Sequence, residues 1–338
     1  MVPPSVTLRL LAFSIILVFA PLASGGQDAR CTTYSVPLVV RNSQGELVHN
    51  YSPTDVAVTV NGTAVGVDKI HRELRSRRIV IVLDASASMN RDGNGHPWRQ
   101  AVASASVLAS LAKGRAHLAL LVFNEKVVEE VRIDRGNSAV EERLTVLQSN
   151  RDSERTLVHG KTAINDAIDG AIALLGDPTT ADAIYVVSDG EDTSSRASRR
   201  DVERKLSVTG IRVFADILKP SRDPRHGVRL SEILGTGPDF YEFARLTGGA
   251  NIQADPEETR LSFAVRPKLP AMDAARLFFE AMFENEILQL KWTDPGAKRR
   301  DLKISAAQTG TEHLPGAQLF YPRQLYSCSQ TSKVNGAF

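Results

Sequence analysis

Apolar positions along this chain change period several times, and those changes divide it into segments. Tyr34 to Val40 and Val56 to Val60 are rich in β-branched residues, with turn signals at 42–45 and at Asn61-Gly62, so residues 31–70 read as short strands. An Asn-Gly pair flanked by valines predicts a hairpin, which accounts for Asn61-Gly62-Thr63 more simply than its match to a glycosylation sequon. A charged stretch, His71 to Arg78, then leads into an unbroken apolar run, Ile79 to Leu83. Similar runs recur at 117–123, 183–188 and 211–218, each reading as a strand buried on both faces. Between them, helical periodicity covers 97–113, 138–148, 163–175, 197–208 and 238–247. Such alternation predicts an α/β fold, a doubly wound and mostly parallel sheet with helices on both sides. After Pro267 comes an amphipathic helix over 272–284, then alternating strands up to Trp292 and over 301–305, separated by a turn at Asp294-Pro295-Gly296.

The N-terminus differs in kind. Arg9 precedes Leu10 to Ala20, an apolar run too short for a comfortable membrane span, and small residues follow at Ala23-Ser24-Gly25-Gly26. Residues 1–25 therefore read as a secretory signal peptide, with an uncleaved anchor as the alternative. Nothing later in the sequence is long and apolar enough to span a bilayer, so the mature chain is expected to be exported, either periplasmic or secreted. The two cysteines, Cys31 and Cys328, stand near the ends of that mature chain. In an oxidising compartment a disulfide is the natural expectation, worth roughly 4 to 5 kcal/mol in the chain-entropy picture, against the alternative of two free thiols. A formal net charge of only +2 gives no global basicity that would argue for nucleic acid.

The chemistry concentrates where strands end. The run Ile79–Leu83 ends in Asp84, Ser86 and Ser88, a carboxylate and two hydroxyls at alternate positions. Such a set suits Mg²⁺, which keeps waters and rarely sits in an all-protein cage, although Asp and Ser also make ordinary turns. Thr162 stands just before an apolar-periodic helix, and the strand Ala183–Ser188 ends in Asp189-Gly190. Strand-Asp-x-Ser-x-Ser, then Thr, then strand-Asp-Gly resembles the von Willebrand factor A family, whose five residues form a metal-ion-dependent adhesion site. The resemblance implies that Asp84, Ser86 and Ser88 bind Mg²⁺ (or Mn²⁺ or Ca²⁺), with Thr162 and Asp189 binding directly or through water. It also implies a partner protein that completes the coordination with an Asp or Glu carboxylate. More loosely, the β–A domain–β arrangement resembles bacterial exported relatives of that family. On that reading residues 27–77 and 267–338 flank an A domain at 78–266, and the flanking segments pair into one small β domain.

Other chemistry finds less support. Gly160-Lys161-Thr162 is not a phosphate loop, because the required first glycine falls on Arg155. There is no His-Glu-x-x-His zinc pattern and no Gly-x-Ser-x-Gly nucleophile elbow, and the terminal cysteines are poor nucleophile candidates. A metal-dependent hydrolase would need a general base, and His159 and Asp92 are the candidates. A structural envelope protein with a merely stabilising site is the remaining alternative to the binding module. Asp166 and Asp169 read as complements to a helix dipole. Glu191 and Asp192 read as a solvated loop, and Arg196, Arg199 and Arg200 as a solvent-facing stripe. Loops 90–97 and 190–196 and the connection 219–237 are the candidate rim of the binding surface.

Overall fold

The computed structural model describes residues 33–42, 46–90, 96–180, 182–190, 192–218, 240–254, 259–261, 268–269, 271–284, 286–292, 299–307, 314 and 316–325. The signal-peptide segment, the Cys31–Cys328 pairing and the 219–237 connection lie outside the described residues. The first half of the chain forms β1 (Thr33–Arg41), β2 (Val56–Val60), β3 (Thr63–Arg72), β4 (Arg77–Asp84), α1 (His96–Leu111), β5 (Ala116–Phe123), β6 (Val127–Val131), α2 (Asn137–Ser149), α3 (Arg151–Leu157) and α4 (Ile164–Leu174). Then come β7 (Ala183–Ser188), α5 (Arg199–Thr209), β8 (Arg212–Leu218), α6 (Tyr241–Thr247), β9 (Asn251–Ala254), β10 (Thr259–Leu261), β11 (Lys268–Leu269) and α7 (Ala271–Phe283). The described chain closes with β12 (Glu286–Lys291), β13 (Arg300–Ala306), β14 (Gln318–Phe320) and β15 (Gln324–Leu325).

The apolar runs build an eight-stranded sheet in the order β11-β10-β9-β8-β7-β4-β5-β6. Its centre, β9-β8-β7-β4-β5, is parallel, and β6 at one edge and β10 and β11 at the other are antiparallel. Because strand side chains alternate, β4 feeds two cores at once. Ile79, Ile81 and Leu83 pack with Trp98, Leu108, Leu144 and Phe278 from α1, α2 and α7. Val80 and Val82 pack with Ile168, Leu206 and Phe243 from α4, α5 and α6. This is why those runs lack polar alternation.

A second, antiparallel sheet has the order β14-β1-β12-β3-β2-β13-β15. β1 pairs with β12, β12 with β3, and β2 with β13, so N- and C-terminal segments share it. At the β2–β3 turn Asn61 and Gly62 both have positive φ, 46° and 80°, the backbone that a tight hairpin requires. Asn61 also bonds outward: its Oδ1 accepts from Asp301 N at 2.8 Å, and its N–H donates to Asp301 O at 2.9 Å. Among the described residues no helix is long and apolar enough to cross a membrane.

Buried arginines tie α7 to both sheets. Arg212 at the start of β8 donates to Ala281 O and Met282 O, Arg77 of β4 donates to Phe283 O, and Arg41 of β1 donates to Leu277 O. The carbonyls of 281–283 belong to the last turn of α7, where a helix lacks internal partners, whereas Leu277 lies in its middle.

One further buried polar cluster lies inside the parallel sheet. Asp216 of β8 accepts from Tyr185 Oη at 2.7 Å and from Ser104 Oγ at 2.6 Å. Burial pushes its carboxyl above the ordinary value, against the hydrogen bonds from Ser104 and Tyr185 that lower it. The fold thus holds this proton more tightly than the unfolded chain does, and the group's contribution to stability falls as pH rises through the folded value. Asp216→Asn, fixed in the neutral form, is expected to gain on wild type as pH rises from about 4 to 8. Urea titrations of both proteins across that range check this, and a pH-independent difference would contradict it.

Candidate metal centre

β4 lies between β5 and β7, the point at which the sheet's connections reverse direction. A crevice opens beyond the carboxyl ends of strands at such a point. β4 ends in Asp84 and its neighbour β7 in Ser188, in parallel register with Leu83 opposite Val187. The next residue, Asp189, begins the loop after β7. Both carboxylates are out of water, with Asp84 0% and Asp189 2% exposed.

The loop after β4 turns at once into a short 3-10 helix, Ala87–Asn90. Ser86 N donates to Asp84 Oδ1 at 2.8 Å, an Asx-type turn that folds the two hydroxyls back over the strand end. Ser86 Oγ and Ser88 Oγ lie 2.9 Å apart, and Ser88 Oγ donates to Asp189 Oδ1 at 2.6 Å. Thr162 comes from a third segment, just ahead of α4, whose N-cap is Ala163 with no side-chain cap. A methyl group built on Gly190 would stand 3.7 Å from Ser88 Oγ and 3.8 Å from Thr162 Oγ1, so these two hydroxyls flank the same glycine. The structure therefore brings Asp84, Ser86, Ser88, Thr162 and Asp189 together from three loops.

Burial, first, and the negative charge of Asp189 raise the Asp84 carboxyl to about 6, while hydrogen bonds from Ser188 and Ser86 pull it down. Two buried carboxylates that repel each other, surrounded by hydroxyls, form a donor set suited to a hard divalent cation. All the donors are oxygens, two anionic and three neutral. No group of three or more His, Cys, Asp and Glu side chains converges among the described residues. Two more oxygens on these loops, Asn90 Oδ1 and Ser194 Oγ, are buried without a hydrogen-bond partner among the described residues. Such atoms are costly unless water or an ion reaches them.

Several site residues escape a purely sequential reading. Ser188 donates to Asp84 Oδ2 and accepts from Gly190 N at 3.2 Å, bridging the two strand ends. A hydroxyl directly before Asp189 was the available signal. Asn124, fully buried after β5, accepts from Ala163 N through its carbonyl at 2.8 Å and fixes the far side of the Thr162 loop. Asp192 is not simply a solvated loop residue, because it pairs with Asn165 Nδ2 and accepts from Ser195 N at 3.1 Å. Asp166 accepts from Ala197 N at 2.7 Å, so it does more than complement the dipole of α4. Asp169 pairs with Lys205 of α5 at 2.5 Å. His159 is exposed, with its N–H donating to Ala85 O, and Asp92 lies outside the described residues.

Comparison with known proteins adds the following. Residues 79–191 match the model of the von Willebrand factor type A domain. No curated protein sequence matches the chain. Among solved structures, BatB from Bacteroides thetaiotaomicron is similar at 18% identity, covering 61% of this chain and 97% of that one, with a TM-score of 0.41. An aerotolerance-related membrane protein from Bacteroides fragilis is similar at 20% identity, covering 61% and 98%, with a TM-score of 0.37. A von Willebrand factor type A protein from Catenulispora acidiphila is similar at 15% identity, covering 89% and 76%, with a TM-score of 0.33. The matched stretch, 79–191, runs from β4 to the loop after β7 and contains all five clustered residues, so it is this part of the chain that is similar to the von Willebrand factor type A domain.

Proposed function

We propose that this protein is an exported binding module that grips an acidic side chain of a partner protein through one divalent cation, Mg²⁺ or else Mn²⁺ or Ca²⁺. Von Willebrand A domains are in general protein-interaction modules, which supports the class of function. The observation that carries the finer reading is the convergence of two buried carboxylates and three hydroxyls at the carboxyl end of the parallel sheet. In this reading Asp84, Ser86 and Ser88 hold the cation, and Thr162 and Asp189 set its position.

A cation held by so few anionic donors stays electron-poor and offers a partner carboxylate an exchangeable coordination position. This chain's residues supply the rest. The Ser86 amide and the Ser188 hydroxyl orient the Asp84 carboxylate. Ser88 and Asp189 hold each other across the gap between the two loops. Met89 and Trp98, both 0% exposed, belong to the same apolar cluster as Leu83 and Ala85 and anchor the first loop to the core. Nothing in this arrangement requires a general base, which favours binding over hydrolysis.

The test is a peptide-display selection against the chain in Mg²⁺. Enriched binders are expected to be released by EDTA and to fail when one acidic residue is changed to its amide. Binders indifferent to both treatments would contradict the proposal. A smaller check concerns Gly190, since a methyl there meets both flanking hydroxyls at ordinary contact distance. Gly190→Ala is expected to fold normally and to bind Mg²⁺ more weakly in calorimetric titration.

A further inference from the structure

We propose that Thr193 is a positioning residue for the metal centre, its hydroxyl locking the Thr162 backbone so that the Thr162 side chain keeps a fixed offset from Asp189. The inference rests on the metal-dependent reading of the site. Thr162 is 5% exposed and belongs to a segment with no regular structure, between Gly160 and the start of α4. A residue so placed must have its backbone polar groups satisfied from elsewhere. Here the loop after β7 does it. The Thr193 hydroxyl accepts from Thr162 N at 3.0 Å and donates to Thr162 O at 3.3 Å. The same carbonyl accepts from Thr193 N at 2.8 Å and Ser194 N at 3.1 Å.

The loop that makes these bonds begins at Asp189, itself one of the five clustered residues. Asp189 and Thr193 are therefore the two ends of one short connection, the first in the site and the second fastened to Thr162. On both sides of Thr193 the segment lies along the first turn of α4 and cannot swing freely. Asp192 holds Asn165 Nδ2, Ser195 Oγ accepts from Asp166 N at 3.1 Å, and Asp166 accepts from the amides of Arg196 and Ala197. On the opposite side, Gly160 O accepts from Ala87 N at 3.1 Å and Asn124 O accepts from Ala163 N at 2.8 Å. Thr162 is thus held between three loops, and Thr193 supplies the side-chain bonds to its backbone. The β-branch of Thr193 restricts χ1 and keeps that hydroxyl in place.

Groups that orient metal ligands typically change affinity by about 10- to 100-fold when removed. Thr193→Val keeps the shape and deletes the hydroxyl, whereas Thr193→Ser keeps the hydroxyl. The measurement is the Mn²⁺ dissociation constant, read from the electron paramagnetic resonance of free Mn²⁺, for wild type, both variants, Asp84→Asn, Thr162→Val and the Thr162→Val/Thr193→Val pair. Thr193→Val is expected to bind about 10- to 100-fold more weakly, with most of the affinity restored in Thr193→Ser. Because Thr193 acts through Thr162, its replacement adds little in the Thr162→Val background. If Thr193→Val binds like wild type while Asp84→Asn does not bind, the positioning role is overturned and the metal site stands. An undiminished effect in the Thr162→Val background overturns it too, leaving a loop-folding role. A wild-type chain that binds no Mn²⁺ overturns both.

Discussion

Asp84→Asn is expected to abolish the Mg²⁺-dependent rise in melting temperature, while the metal-free variant melts no lower than wild type. At a hundredfold excess over the dissociation constant, a ligand that binds only the folded state adds about 2.7 kcal/mol. For a domain of this size that is a shift of roughly 5 to 10 °C, all of which the variant should lose. The metal-free half of the prediction follows from local geometry. An asparagine can keep its Oδ1 towards the Ser86 amide and turn its Nδ2 towards Ser188 Oγ, which rotates its own proton away. It also removes a carboxylate that burial and Asp189 disfavour. A residue whose replacement leaves the empty fold intact and removes only the ligand's contribution serves binding rather than architecture. Parallel melts in EDTA and in Mg²⁺ check both halves. A variant that keeps the shift would show that Asp84 does not hold the ion.

The largest loss of stability is expected from Arg212→Ala, about 3 to 5 kcal/mol, with Mg²⁺ affinity of the folded fraction unchanged. The Arg212 side chain is among the largest fully buried ones, and it stacks over Phe214 with its guanidinium carbon 5.1 Å from the ring centre. Its two terminal nitrogens donate to Ala281 O at 2.9 Å and Met282 O at 3.1 Å, complementing the negative end of α7. Burial, together with the nearby charge of Arg77, pushes its pKa down to about 9, which still leaves it charged at neutral pH. Alanine would strand two buried carbonyls and open a cavity beside Phe214. Lysine would keep the charge but lose the two-pronged geometry, so Arg212→Lys should fall between alanine and wild type. The site is spared because Arg212 begins β8 whereas Asp84 ends β4, at opposite ends of parallel strands. Urea unfolding measures the first effect and metal titration the second. A loss below about 1 kcal/mol would contradict the capping role.

How much of this could be read from the sequence depends on the range of each interaction. Four of the five parallel strands were legible because burial on both faces leaves runs such as Ile79–Leu83 with no polar position; β9, Asn251–Ala254, is too short and polar to show one. The five clustered residues were legible because the three segments that carry them, each at a strand end or helix start, together resemble the motif of the von Willebrand factor A family. The edge strand β6, Val127–Val131, was not, since its Glu129 and Glu130 interrupt the apolar signal and, among the described residues, one of its edges has no strand beside it. The seven-residue helix α3, ArgAspSerGluArgThrLeu, carries too few apolar positions to show a period. Asp192 was misread, and the second role of Asp166 missed, for a different reason. Their partners lie about thirty residues away along the chain, and no local rule brings the loop after β7 onto the first turn of α4. Arg41 and Arg212 are the extreme cases: a charge within an apolar run says nothing about a helix carbonyl 236 or 69 residues later.

The most direct test of the account is the anomalous scattering of Mn²⁺ in crystals of the chain grown with that ion. One peak is expected, beyond the carboxyl ends of β4 and β7, within coordination distance of Asp84, Ser86 and Ser88. Crystals of Asp84→Asn grown in the same way should lack it. A map with no peak at that position, or with the ion bound elsewhere while Ser88 still donates to Asp189, would contradict the central claim.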